Sequence, residues 1–184
     1  MSEKNDIRFL MRSGDFEQAY KKLFRCFNKQ YESVGDNWFV LYYLSYVCKQ
    51  LGEISKSKYY VEILRDYIYQ FKDYNTEKCW ALWLYIEINK DSMSKEQLNN
   101  EYDKLIEGFN LPNDSEKIIG LKNSKDVINR NFENVKKNFL KCLEKHYIDT
   151  VKAMINEIKD INLELYKEFD KLFIQYQKQE LIIV

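Results

Sequence analysis

The stretch from Trp38 to Leu64 is the feature of this sequence that most constrains its fold. Apolar residues recur on both sides of Gly52 at the spacing that places them on one face of an α-helix. A glycine at such a break can adopt the left-handed conformation that ends a helix. The stretch therefore predicts two amphipathic helices joined by a tight turn at Gly52. Ser57 is small enough to let the two helices approach closely.

Three other positions, Gly14, Asp91 and His146, are predicted to be turns of the same kind. The interval from Gly14 to Gly52 nearly equals that from Gly52 to Asp91, whereas the interval to His146 is longer. A bulky apolar residue follows two positions after each turn: Phe16, Ile54, Met93 and Ile148. In three of the four copies a small or branched residue comes five positions after the turn (Ala19, Ser57, Val151) and an apolar residue nine positions after it (Leu23, Val61, Ile155). The pattern predicts a repeated helical hairpin.

The predicted helix boundaries follow from local signals. Asp15 is placed to cap a helix by accepting a hydrogen bond from the backbone N–H near Gln18. The third hairpin is expected to begin near Asn75, turn at Asp91 and resume at Ser94, where the spacing to Gln97 is that of a capping box. The segment 108–120 contains the only proline and several Gly, Asn, Asp and Ser residues, which predicts a loop.

The C-terminal third is predicted to continue the same architecture. A long helix after Ser124 is expected to reach Leu143, to be followed by a turn at Lys145–His146. A last amphipathic helix, Asn162–Lys178, is expected to cap the structure. The chain is interpreted as a single helical-repeat domain, 1–184, with a possible internal joint at 108–123.

Composition agrees with an all-α fold. One proline and five glycines in 184 residues leave little of the turn chemistry that a many-stranded sheet requires. The 29 basic residues equal the 29 acidic ones, so no global field attracts nucleic acid or an anionic membrane. The sequence shows no secretory signal, and its apolar stretches are too short to span a bilayer. We therefore expect a cytoplasmic protein.

No catalytic, cofactor or metal motif is present. Phosphate-binding loops, the HExxH pattern and nucleophile elbows do not occur in the sequence. The four cysteines are scattered at Cys26, Cys48, Cys79 and Cys142 and lie in apolar helical patterns, so we expect core side chains in a reducing compartment. The single histidine, His146, is interpreted as a helix-end residue. The sequence favours a non-enzymatic protein without a cofactor or metal.

The hairpin pattern resembles the tetratricopeptide repeat, a helix–turn–helix unit of about 34 residues. The residues that carry the resemblance are, in the second unit, Leu41, Leu44, Ser45, Cys48, Gly52, Ile54, Ser57 and Val61, in the first unit Gly14, Phe16, Ala19 and Leu23, and in the third Trp80. The sequence departs from the family at Glu96 and Asn138, where the family has alanine and leucine. The resemblance implies a right-handed solenoid of three to four antiparallel helix hairpins with a C-terminal capping helix.

In proteins of that family, the first helix of each hairpin lines a concave groove. Carried over to this sequence, the groove residues are Arg8 and Arg12 in the first unit, Phe39, Tyr42, Tyr46, Lys49 and Gln50 in the second, and Lys78, Tyr85 and Asn89 in the third. An aromatic groove with basic groups at intervals suits a peptide that carries acidic side chains or a free carboxylate. The alternative is that Tyr42, Tyr43 and Tyr46 pack between neighbouring repeats.

The resemblance and the composition leave several roles open. Bacterial peptide-sensing regulators use similar repeats, but this sequence has no recognisable helix-turn-helix DNA reader. A phage- or plasmid-encoded inhibitor that acts by blocking a surface is equally compatible. A structural oligomer could form through the last helix and the apolar tail Leu181–Val184. A single-stranded nucleic-acid binder is a lesser alternative, because acidic residues interleave with the lysines.

Overall fold

The computed structural model describes residues 2–29 and 31–180, and within them the protein is all-helical, as predicted. These residues form ten α-helices and one short 3-10 helix, and no strand occurs among them. The chain divides into two compact units, Met1–Ser94 (unit 1) and Lys95–Val184 (unit 2). The boundary precedes the predicted joint at 108–123. The interpretation of 1–184 as one domain stays a prediction, and so does the right-handed solenoid.

Unit 1 contains five α-helices and the 3-10 helix. They are α1 (Ser2–Ser13), α2 (Phe16–Lys29), α3 (Val34–Gln50), α4 (Ile54–Ile68), α5 (Asn75–Asn89) and the 3-10 helix Lys90–Ser92. Each helix packs on the next one along the chain, and α3 also contacts α5. The main core of the unit is built by apolar side chains of all five helices, among them Ile7, Leu23, Leu44, Leu64 and Ala81.

The hairpin of α3 and α4 is held by a reciprocal pair of buried serines. The Ser45 hydroxyl donates to the Ser57 carbonyl at 2.9 Å, and the Ser57 hydroxyl donates to the Ser45 carbonyl at 2.7 Å. Both side chains have no exposed surface. Two larger side chains at these positions would separate the helices, so the prediction that Ser57 marks a close approach is confirmed.

Four helix ends share one turn geometry, in which a residue with positive φ closes the helix. These residues are Gly14 (φ 77°), Gly52 (φ 74°), Arg130 (φ 56°) and His146 (φ 58°). At each turn the following backbone N–H donates to the carbonyl five residues before it, and the N–H of the turn residue donates to the carbonyl three residues before itself. This is the hydrogen-bond pattern of the Schellman motif. The turns predicted at Gly14, Gly52 and His146 are confirmed.

The turn at Arg130 was not predicted, yet it carries the sequence pattern of the other three. Phe132 follows it by two positions and begins a helix, as Phe16, Ile54 and Ile148 do. Val135 and Phe139 stand five and nine positions after it, and both are completely buried. The prediction of one long helix from Ser124 to Leu143 is therefore wrong: the chain turns at residues 129–131.

Unit 2 contains the remaining five α-helices. They are α6 (Lys95–Phe109), α7 (Glu116–Ile128), α8 (Phe132–Glu144), α9 (Ile148–Ile158) and α10 (Leu163–Glu180). Its core centres on Phe139 and Phe169, whose rings stack with centroids 3.8 Å apart. Asn162 caps α10, because its side-chain oxygen accepts a hydrogen bond from the Leu165 N–H at 3.1 Å. The predicted last helix is confirmed, and its predicted start lies one residue before the observed one.

Of three other local predictions, one needs correction. The loop predicted over 108–120 is confined to residues 110–115, and Gly120 lies inside α7. A Cβ added at Gly120 would lie 3.6 Å from the Thr150 side chain on α9, so this glycine lies at the α7–α9 packing contact and makes no turn. The turn predicted at Asp91 is confirmed, and the chain makes it as the 3-10 helix Lys90–Ser92 between α5 and α6. The cap at Asp15 is confirmed, since its carboxylate accepts from the Gln18 N–H at 3.2 Å.

Candidate partner-binding site

All the residues predicted to bind a partner lie in unit 1, on three helices. Arg8 and Arg12 are on α1, Phe39, Tyr42, Tyr46 and Lys49 are on α3, and Lys78 and Tyr85 are on α5. The α3 residues 39, 42 and 46 are spaced by three and four positions, so they share one face of that helix. Tyr42 and Tyr46 are half-buried, whereas the Phe39 side chain is 3% exposed.

Four aromatic side chains in the first half of α3 form a continuous row, which we call the aromatic band. The Trp38 ring stacks on Tyr42 with centroids 4.9 Å apart, Tyr42 meets Tyr43 edge-on at 5.3 Å, and Tyr43 contacts Phe39 at 4.6 Å. At one end the Trp38 indole donates a hydrogen bond to the Glu77 carbonyl on α5 at 3.2 Å. The band therefore crosses α3 from the α5 side to the α1 side.

Two cations of α1 cover the other end of the aromatic band. The Lys4 ammonium lies 5.2 Å and the Arg8 guanidinium 5.3 Å from the centroid of the Phe39 ring. Cations at this range are attracted to the negative face of an aromatic ring. Phe39 is thereby removed from solvent, and Arg8 is held in a defined position while the residue stays exposed.

The acidic residues on and beside α1 form ion pairs with lysines, whereas two arginines of α1 do not form ion pairs with described residues. The carboxylates of Glu3, Asp6 and Asp36 pair with Lys29 (3.6 Å), Lys22 (2.8 Å) and Lys4, respectively. Within residues 2–29 and 31–180, neither Arg8 nor Arg12 has an ion-pair partner. Both arginines are exposed. This part of unit 1 therefore presents two exposed guanidinium groups that form no ion pair with a described residue.

The other two predicted cations are occupied within the unit. The Lys49 ammonium forms an ion pair with Glu87 of α5 at 3.4 Å, and Glu87 also pairs with Lys90 at 3.4 Å. The Lys78 ammonium donates to the Lys72 carbonyl at 3.0 Å. Neither lysine is as available to a ligand as the two arginines of α1.

The tyrosines of the predicted groove also contribute to the packing of unit 1. Tyr42, Tyr46 and Tyr85 pack against a small buried cluster of Val61, Leu84 and Ile88. Burial raises the pKa of the Tyr42 hydroxyl, so this side chain is neutral at physiological pH. The Arg65 guanidinium of α4 lies 4.1 Å from the centroid of the Tyr85 ring. The Tyr85 ring therefore contacts α4.

A cavity of about 490 Å³ opens beside Arg8. It lies between α1, the end of α2 and the start of α3, and it is lined by Glu3, Lys4, Asn5, Ile7, Arg8, Cys26, Tyr31, Asp36, Phe39 and Val40. Asn37 fixes the backbone at Tyr31, because its side chain accepts from the Tyr31 N–H at 3.0 Å and donates to the Tyr31 carbonyl at 2.5 Å. The wall that Tyr31 contributes to the cavity is therefore tied to α3.

The residues with metal-binding or nucleophilic chemistry are dispersed over residues 2–29 and 31–180. They hold no group of three or more His, Cys, Asp or Glu side chains placed to bind a metal ion. His146 contacts the Tyr176 hydroxyl through Nδ1 at the α8–α9 turn, which is in unit 2. All four cysteines are buried and none forms a disulfide, which confirms that they are core residues. Among the helices that the structure describes, none is long and apolar enough to cross a membrane.

Comparison of the chain with protein-family models, with curated proteins and with solved structures finds no match. Sequence reasoning did not include Lys4, Asn5 and Trp38 in the site. Trp38 and Tyr42 are four positions apart on one helix, a spacing that could have indicated the stacked pair.

Proposed function

We propose that this protein is a non-enzymatic binding module that recognises a protein or peptide through the α1–α3 face of unit 1. The observation that carries the proposal is the aromatic band, which Tyr46 extends by one turn of α3 beyond Tyr42, together with Arg8 against the band and Arg12 one turn further along α1. Aromatic side chains bury much area with few rotors to immobilise, and arginine forms directional bonds to carboxylates. The face thus combines an apolar surface with a fixed positive charge, which suits a partner segment with acidic side chains.

The experiment that tests this proposal compares partner capture by matched variants. Tyr46→Ala and Arg12→Gln change the face, while Tyr59→Ala and Arg25→Gln make the same chemical changes at exposed positions of α4 and α2. The tagged proteins are used to capture partners from a lysate of the organism that carries the gene, and each captured species is then purified and titrated against all four variants.

The expected result is that Tyr46→Ala and Arg12→Gln each weaken binding of the same purified partner, while the two control variants bind as the wild type does. Thermal unfolding of every variant separates lost binding from lost folding. Tyr46 is half-buried, so some loss of stability is expected there, whereas Arg12 is exposed and its substitution should leave stability unchanged. Equal binding by Arg12→Gln and Arg25→Gln would contradict the proposal.

A second candidate function is self-association through α10. Its surface carries a shallow cavity of about 380 Å³, lined by Tyr166, Lys167, Asp170, Lys171, Ile174, Gln175 and Lys178, and Ile174 is 43% exposed. The tail Leu181–Val184, which was predicted to join such an interface, lies outside the described residues. Light scattering of the wild type and of Ile174→Lys tests this candidate, because a dimer through α10 should become a monomer in the variant.

A further inference from the structure

The cavity beside Arg8 is apolar on one side. Its inner wall includes Ile7, Cys26 and Val40, which are 1%, 2% and 4% exposed, and Phe39. Its volume of about 490 Å³ lies within the range of about 300–1,000 Å³ that is typical of ligand pockets. A space of this size and lining accepts a large aromatic or aliphatic side chain, and burial of such a side chain is favourable.

The rim of the same cavity is polar, and its charges are asymmetric. Glu3 and Asp36 both belong to the rim, and each already has a lysine partner. Arg8 has none among the described residues. The Phe39 ring holds the Arg8 guanidinium beside the opening, so part of the entropy cost of fixing this long side chain is already met in the free protein. The rim is therefore prepared for one anionic group.

We infer that this cavity is a specificity pocket that takes one large apolar side chain of a peptide, and that Arg8 pairs with a carboxylate next to that side chain. This inference rests on the proposed function and deepens it, since it names the chemistry of the partner segment. The carboxylate can come from an adjacent acidic residue or from a C-terminus.

The covered ring of Phe39 favours a peptide over single-stranded nucleic acid as the occupant. Binding of bases to single-strand proteins requires an open aromatic face, but Phe39 is 3% exposed and Lys4 and Arg8 cover its ring. An apolar side chain with a neighbouring carboxylate needs no open stacking surface, because the side chain would enter the cavity and the carboxylate would meet Arg8 at its opening.

The test uses two small probes that differ by one charge, N-acetyl-L-tryptophan and N-acetyl-L-tryptophanamide. Their binding to the full chain is followed by NMR, with methyl signals of Ile7 and Val40 as reporters of the cavity. We expect both probes to shift these signals and the acid to bind about fivefold more tightly, which is the upper range for an ion pair at an exposed rim. Arg8→Gln should abolish the difference between the probes, while Arg25→Gln should preserve it.

A second variant tests the cavity itself. Cys26→Met adds volume to the inner wall and should lower the affinity for both probes by the same factor. An equal loss would separate the contribution of apolar burial to binding from that of the Arg8 charge. Cys26 is a core residue, so this substitution is expected to lower stability. Arg8 is exposed, so Arg8→Gln should remain folded and tests the inference by itself. The NMR spectrum of each variant shows directly whether the fold is retained.

Three outcomes would overturn the inference. The first is that neither probe shifts the two reporter signals at about 10 mM. The second is equal binding of acid and amide to the wild type. The third is displacement of the acid by an oligothymidylate, which would assign the cavity to nucleic acid. Because these probes need no natural partner, loss of the inference leaves the proposed function standing if Tyr46→Ala and Arg12→Gln still weaken partner binding.

Discussion

Substitution of Ser57 tests whether the α3–α4 hairpin, which carries the aromatic band, is as closely packed as the serine pair indicates. Ser57→Ala removes the 2.7 Å hydrogen bond to the Ser45 carbonyl. A buried hydrogen bond of this kind contributes about 0.5–1.5 kcal/mol net, and the Ser45 carbonyl keeps its own α-helical bond. We therefore expect Ser57→Ala to lower the free energy of unfolding by about 1 kcal/mol.

Ser57→Val adds the cost of excess volume. The Ser57 side chain has no exposed surface. Valine puts one methyl group in place of the hydroxyl and adds a second, so the larger side chain must displace α3 or adopt an unfavourable rotamer. Overpacking of this kind costs about 1–3 kcal/mol. Together with the lost hydrogen bond, the expected decrease for Ser57→Val is about 2–4 kcal/mol.

The assay is urea unfolding followed by tryptophan fluorescence. All three tryptophans lie in unit 1, so the signal reports the unit that contains the substitution. Ser55→Ala is the matched control, because Ser55 lies on the same helix and is exposed, and it should change stability by no more than about 0.5 kcal/mol. If Ser57→Val is no less stable than Ser57→Ala, or if Ser57→Ala matches Ser55→Ala, the helices are not in close contact at this position.

Three further predictions concern titration, reactivity and the second core. The hydrogen bond from Lys145 holds the pKa of the Asp114 carboxyl below its ordinary value. The pair therefore stabilises the fold at pH values above the pKa that Asp114 has in the unfolded chain, and this stabilisation is lost as pH falls through the pKa of the folded state. Lys145→Ala should raise the Asp114 pKa, as measured by carboxyl NMR titration. Burial raises the pKa of the Cys48 and Cys142 thiols to about 11, so iodoacetamide should modify them only after unfolding. Because these thiols ionise at a lower pH in the unfolded chain than in the folded one, the free energy of unfolding should decrease as pH rises from about 9 to 11. Phe169→Ala should destabilise unit 2 by about 3–5 kcal/mol, measured by far-UV circular dichroism during urea unfolding, and an unchanged midpoint would contradict the stacked core.

The sequence was most informative where one residue type determines the local conformation. Gly14 and Gly52 both have positive φ, a conformation that costs glycine little and other residues more. Asp15 caps α2 as its position indicated. These features are local, because each depends only on a few neighbouring backbone groups. Sequence alone therefore predicted them.

The turn at Arg130 shows why such reasoning fails elsewhere. The same Schellman geometry occurs there without a glycine, so the usual signal of a helix end is missing. The remaining signal in the sequence is the pattern that follows the turn, with apolar residues at the second, fifth and ninth positions. Gly120 is the converse case, since it lies within a helix, at its contact with α9. Both errors arose because tertiary packing overrode a local preference.

The charge of the candidate site could not be read from the sequence for a related reason. Four cations were predicted to contact a partner, but Lys49 pairs with Glu87 and Lys78 donates to a carbonyl. The Lys49–Glu87 pair joins two helices far apart in sequence, so no local pattern reveals it. What remains is the positive charge of Arg8 and Arg12 on one helix. If the proposed function is correct, partner binding should depend less on salt concentration in Arg8→Gln and in Arg12→Gln than in the wild type, whereas Lys78→Gln should keep the salt dependence of the wild type. The reason is that salt screens exposed charges that a ligand meets directly.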